Sequence, residues 1–221
     1  MAKPERSRRG DYRRAGELRR EALSILRAQQ RTDQLLLGQE LTNQATDGLR
    51  LGDLASARAD LVEAIERLQP QLGADDPRVL AASSYLGLVE LQLGELQPAI
   101  DRLRAISQRE SETTALRQRL ATRRYLARAL RWQGKPGEAL DALGPALAWP
   151  AGEFPRQSAT ARGRAWIEYT LALIDVGDRP AAARAIESAG QAFAESGAIG
   201  AEDGAQLQIA RARLALAGGD A

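Results

Sequence analysis

The chain has 221 residues, with 31 Lys and Arg against 29 Asp and Glu, no His, no Cys and only 4% aromatic residues. Without Cys there are no disulfides, thiolate nucleophiles or Cys-ligated zinc, and without His the commonest general base and metal ligand is gone. Few aromatics argue against a β-sandwich or a base-stacking nucleic-acid binder, whereas abundant Ala, Leu, Arg, Glu and Gln favour helices. Residues 1–20 hold seven Arg and Lys3 against Glu5, Asp11 and Glu17, a local +5 on a nearly neutral chain. Residues 1–9 read as a basic, disordered leader. No apolar stretch follows them, as a secretory signal would require, and no run approaches the ~20 apolar residues of a membrane helix. A cytoplasmic location is the default reading. Lys3 and Lys135 are the only lysines, a bias that points to a GC-rich genome.

Glycine recurs at 10, 52, 94, 134, 177 and 219, at intervals of 42, 42, 40, 43 and 42. Five positions after the first five glycines stand Ala15, Ala57, Ala99, Ala139 and Ala182. Nine positions after, from the second onward, stand Leu61, Leu103, Leu143 and Ile186. Seven positions before stand Ala45, Gly87, Ala127 and Thr170. Small residues let two helices approach and large ones fill the gap between them. The glycine closes one helix, and its tolerance of positive φ permits the tight turn into the next. Each unit therefore reads as helix, turn, helix, with Asp11, Asp53 and Asp178 as N-caps.

In chain order, the pattern predicts a lone helix over 11–28 with an apolar stripe of Tyr12, Ala15, Leu18, Ala22, Ile25 and Leu26. Helix pairs follow at 34–51/53–68, 77–93/95–109, 112–133/136–148 and 158–176/179–195. A last helix spans 201–217, with Gln206, Gln208, Arg211 and Arg213 available to give it the polar outer face that a terminal repeat needs. The chain thus divides into a half repeat (10–33), full repeats (34–71, 72–110, 111–152 and 153–197) and a terminal half repeat (198–221). Gly144-Pro145 is expected to kink its helix, and 149–157 is the one long loop, with Trp149 and Phe154 as a local plug.

This register resembles the tetratricopeptide repeat (TPR), most visibly in LGLVELQLGELQPAIDRL at 86–103 and LARALRWQGKPGEALDAL at 126–143. The long period and the segment LGADDPRVL at 72–80, with Asp76 as N-cap and Pro77 as first helical residue, are similar to the kinesin-light-chain variant. Ser84 and Tyr85 stand where that variant carries an Asn pair, and Arg123 stands where it carries a large apolar residue. The resemblance implies an all-α fold, a right-handed α-solenoid of stacked antiparallel helix pairs forming a TPR superhelix. It also implies a concave groove lined by the first helix of each pair. The groove positions it implies are Thr42, Thr46, Leu49 and Arg50, then Ser84, Tyr85, Leu88, Leu91 and Gln92. They continue with Arg124, Arg128, Arg131 and Trp132, and with Arg164, Ile167, Leu171, Ile174 and Asp175.

Arg117, Arg124, Arg128 and Arg131 lie at i, i+7, i+11 and i+14, one face of one helix. Guanidinium groups hold carboxylates bidentately, so such a wall suits an acidic–apolar peptide or a C-terminal carboxylate. The competing reading is an arginine-rich outer face that only meets water. Leu88, Leu91, Leu171 and Ile174 read as groove anchors or as residues buried between neighbouring helices, with burial favoured, and Trp132 is expected to pack on the next repeat. The N-terminal arginines Arg6, Arg8, Arg9, Arg13, Arg14 and Arg20 offer a nucleic-acid or anionic-surface contact, though a disordered leader with a solvated helix face is the favoured reading.

No nucleotide-binding glycine motif or catalytic dyad is present, so no enzyme activity, cofactor or metal is expected. The leading expectation is a non-catalytic scaffold for protein–protein interaction that binds a peptide or partner segment. Two alternatives stand beside it. One is a regulatory or sensor segment of a larger bacterial kinase or transcription regulator, to whose arrays this one looks similar. The other is a homo-oligomer that stacks through its repeat ends. No membrane partner is expected, and nucleic acid is disfavoured.

Overall fold

The computed structural model describes residues 33–111, 114–148, 158–197 and 199–218, together with 14, 16–19, 21 and 23–27. The described residues are helices joined by short turns. They are a helical stretch within 14–27, α1 (Gln34–Leu51), α2 (Leu54–Leu72), α3 (Pro77–Gln92), α4 (Leu96–Arg109), α5 (Leu116–Trp132), α6 (Pro136–Leu147), α7 (Ala159–Val176), α8 (Arg179–Glu195) and α9 (Ala201–Leu216). The chain forms two compact units, residues 1–102 and 103–221. In the first, α1 packs on α2 and α2 on α3; in the second, α5 packs on α6, α7 on α8, and α7 also lies beside α5, α6 and α9. No described helix is long and apolar enough to cross a membrane.

The glycine register is the turn register. Gly52, Gly94, Gly134 and Gly177 have φ of 81°, 81°, 80° and 85°, a region that a Cβ disfavours, so only glycine reverses the chain there without strain. Behind two of these turns, and at two other helix starts, a carboxylate meets the bare N–H groups of the next helix. Asp53 accepts from Ser56 N and Asp178 from Ala181 N at 3.2 and 3.0 Å. Asp76 accepts from Arg78 N at 2.9 Å with Pro77 at the first helical position, and Asp33 accepts from Leu35 N at 2.9 Å. Replacing Asp178 with alanine is expected to cost about 1 kcal/mol of stability in urea unfolding.

The small–large pattern builds the core. Ala57, Ala99, Ala139 and Ala182 are fully buried, as are Leu61, Leu103 and Leu143, with Ile186 nearly so. Close approach is direct at Gly38, where a Cβ would stand 2.6 Å from Leu68 of α2, and at Gly163, where it would stand 2.8 Å from the Phe193 ring of α8. In both repeats the missing side chain is the space that the paired helix fills.

Some expected details are corrected. Leu18 and Ile25 are 50% and 57% exposed, while Gly16 and Leu23 are buried; the stretch at 14–27 turns its Leu23 side to the core of the first unit. Arg19 sets that rotation, because it reaches Glu40 at 2.9 Å and Asp47 at 3.2 Å on α1. The first helix of the third pair begins at Leu116 rather than 112. Buried Thr114 accepts from Ser111 N at 3.3 Å while its own N–H donates to Ser111 O at 3.1 Å, a local turn that competes with the helix. α2 runs on to Leu72 with Pro70 in its last turn. The outer side of α9 is not wholly polar, since Ile209 and Leu216 are 55% and 66% exposed. Trp132 is 55% exposed rather than packed. The loop at 149–157, with Trp149 and Phe154, and the arginines at 6, 8, 9, 13 and 20 lie outside the described residues.

Candidate functional site

The second unit brings the arginine row of α5 onto a face shared with α7 and α9. Arg128 Nε donates to Glu168 Oε1 at 2.7 Å, and Arg131 Nη1 donates to Glu168 Oε2 at 3.2 Å. Arg131 Nε also donates to Asp175 at 2.7 Å. One helix further, Arg164 forks onto Asp203 with Nε–Oδ1 and Nη2–Oδ2 distances of 2.6 and 3.0 Å. Glu168 is only 1% exposed, and the two guanidinium groups that enclose it offset the cost of burying its carboxylate.

These contacts correct the expectation of a free guanidinium wall. Arg128, Arg131 and Arg164 spend their donors on the protein's own carboxylates. Arg124 differs. It lies 4.5 Å above the ring of Tyr125 and makes no ion pair with a described residue. Burial holds its pKa below the usual arginine range; Arg128 and Arg164 push the same way, against Tyr125 and Glu168. The face therefore carries four guanidinium groups, Arg124, Arg128, Arg131 and Arg164, against three carboxylates, Glu168, Asp175 and Asp203. Arg117, the first of the sequence row, is exposed. Leu171 is half-buried and, like Trp166, packs on the core of Ile167, Ile186 and Phe193; the Trp166 ring meets Tyr169 edge-on at 5.6 Å. Ile167 is buried and Ile174 half-buried, so neither is an exposed anchor.

The remaining groove positions lie in the first unit. Thr42 and Thr46 are half-buried, and their hydroxyls donate to Gly38 O and Asn43 O at 2.9 and 2.7 Å within α1. Arg50 is exposed and stands 3.6 Å from Asp47. Tyr85 and Leu88 are half-buried, Gln92 is exposed, and Ser84 and Leu91 are buried. Arg123, on the position the family fills with an apolar residue, instead pairs with the buried Glu110 at 2.6 Å.

Sequence reasoning missed Tyr125, Glu168 and Asp203. A signal for the two acids exists in the period. Arg128–Glu168 and Arg164–Asp203 are 40 and 39 residues apart, close to one repeat, so opposite charges at that spacing meet on neighbouring first helices. Second helices also pair opposite charges, but at a shorter spacing, with Arg27–Glu63 36 apart and Arg104–Glu138 34 apart. No group of three Asp, Glu, His or Cys able to hold a metal occurs among the described residues.

The chain matches no family model and no curated relative. Among solved structures it is similar to the nearly identical TPR-like repeats of a kinesin-light-chain-type protein from Podosopora anserina, at 22% identity, TM-score 0.65, covering 85% of this chain and 89% of that one. A variant of the same protein gives a TM-score of 0.67. It is also similar to BtubC (BKLC) from P. vanneervenii, at 17% identity, TM-score 0.69, covering 88% of this chain and 78% of that one. Glycine turns every forty-odd residues, buried small residues between paired helices and these neighbours agree on one description: the chain has the TPR-like helical-repeat fold.

Proposed function

We propose that the protein is a non-catalytic interaction scaffold whose α5–α7–α9 face holds a partner segment through a carboxylate placed on Arg124. The observation that carries this reading is the excess guanidinium. Arg124 is half-buried, lies beside two other arginines and has no carboxylate partner among the described residues. An incoming carboxylate would relieve that repulsion and accept a charge-assisted hydrogen bond, while Tyr125 fixes the guanidinium plane. Half-buried Leu171 offers apolar contact nearby on α7. By itself, the first unit presents Thr42, Thr46, Arg50, Tyr85, Leu88 and Gln92 as a more neutral candidate surface for a peptide. TPR-like repeats are interaction scaffolds as a class, which fits the absence of His and Cys chemistry in this chain.

Peptide display against the purified full chain tests the proposal. Selected peptides are expected to carry Asp, Glu or a free C-terminus. Arg124→Gln is expected to weaken them at least tenfold, about 1.4 kcal/mol, while the exposed Arg117→Gln changes little. Selection of neutral peptides that bind Arg124→Gln as well as wild type contradicts it.

A further inference from the structure

A row of arginines ordinarily reads as a phosphate site, because each guanidinium offers paired donors to an anion with three acceptor oxygens. On the α5–α7–α9 face those donors are already spent. Arg128 places Nε and Nη2 on Glu168, Arg131 places Nη1 on Glu168 and Nε on Asp175, and Arg164 forks onto Asp203. Drawing Arg128 to a ligand leaves Glu168, 1% exposed, with Arg131 alone, and drawing Arg164 away strands Asp203, 7% exposed. Arg124 is the one member of the row on this face that makes no ion pair with a described residue.

The charges set the same limit. Arg124, Arg128, Arg131 and Arg164 exceed Glu168, Asp175 and Asp203 by a single positive charge. Glu202, exposed on α9, acts on Arg164 and offsets part of that excess. One carboxylate therefore balances the face, and a dianion overshoots it. Arg124 is half-buried, so an anion placed on it gives up part of its water. That cost grows with the square of the ligand's charge, whereas the attraction to Arg124 grows only in proportion. The second negative charge also meets the field of Glu168, which already reaches Arg124.

We propose that the Arg124 site takes a singly charged carboxylate in preference to a phosphoryl dianion, so that the partner is recognised by an unmodified acidic residue rather than a phosphorylated one. This inference rests on the reading of Arg124 as a carboxylate site and adds its selectivity.

The test titrates the full chain with a display-selected peptide that anchors through Asp or Glu, synthesised with Asp, Ser or phosphoserine at the anchoring position. Binding is measured at about pH 8 and about pH 5.5, on either side of the second phosphate ionisation at about 6. The chain has no His and no Cys, so none of its side chains of ordinary pKa titrates in that range. At the higher pH the Asp form is expected to bind about tenfold more tightly than the phosphoserine form. On acidification the phosphoserine form is expected to gain about fivefold, as its dianion becomes a monoanion, while the Asp form stays within about twofold. Asp203→Asn removes one negative charge and frees Arg164, so it should improve the phosphoserine form more than the Asp form, with circular dichroism confirming that the helices persist. A phosphoserine form as tight as the Asp form at about pH 8, or tighter, overturns the inference. If the Asp form then still weakens with Arg124→Gln, the carboxylate site itself stands; an Asp form that binds Arg124→Gln as well as wild type removes both.

Discussion

Replacing Glu168 with alanine is expected to lower the unfolding free energy of the second unit by about 3–5 kcal/mol. Glu168 is 1% exposed, and the side chain of Arg131 beside it is 6% exposed. Removing the acid leaves Arg131 with only the half-exposed Asp175 and leaves Arg128 without its carboxylate. The cost is therefore that of a buried cation, and it exceeds what the intact pair contributes relative to apolar side chains. Substituting Arg128, Arg131 and Glu168 together by Met, Met and Leu should recover most of the loss, because no charge is then stranded. By contrast, removing Glu17, which pairs with Arg14 while both are largely in water, should cost under about 1 kcal/mol. Urea unfolding followed by circular dichroism separates these cases; a loss below 1 kcal/mol for Glu168→Ala contradicts the burial of the network.

Leu61→Ala is the second large effect, expected at about 2–5 kcal/mol. Leu61 is fully buried at the repeat position that Leu103 and Leu143 also occupy, and it fills the core built by Leu37, Leu41, Ala45 and Leu86. Its neighbour Val62 is 42% exposed, so Val62→Ala should change stability by no more than about 0.5 kcal/mol. The contrast tests the register itself, since the two residues are adjacent in sequence and both apolar but occupy opposite faces. Equal effects at Leu61 and Val62 would contradict it.

The repeat was legible because its determinants are local and recur. A glycine that must take positive φ, an Asp that must cap and a small residue that must sit against a neighbouring helix each leave a mark at fixed spacing. The helices α1 to α9 begin and end within about four residues of the bounds that the spacing predicts. The rotation of the helix at 14–27 was not legible. Two stripes compete on it, Leu18–Ile25 and Gly16–Leu23, and the choice is made by Arg19 reaching two acids on α1, a long-range contact. The candidate site was half legible for the same reason. The arginines of α5 fall on one face by helical spacing alone, but whether each is free depends on acids 40 and 44 residues away. Only after those pairs are drawn does Arg124 stand apart from Arg128 and Arg131.

The most direct test of the docking face reads the Arg124 side chain itself. In a spectrum of arginine Nε–Hε groups, titration with a display-selected acidic peptide is expected to shift the Arg124 signal in a saturable way. The ion-paired Arg131 and the exposed Arg117 should move little, and a peptide with its carboxylates amidated should leave Arg124 where it was. An Arg124 signal that stays fixed while the acidic peptide binds would contradict the account.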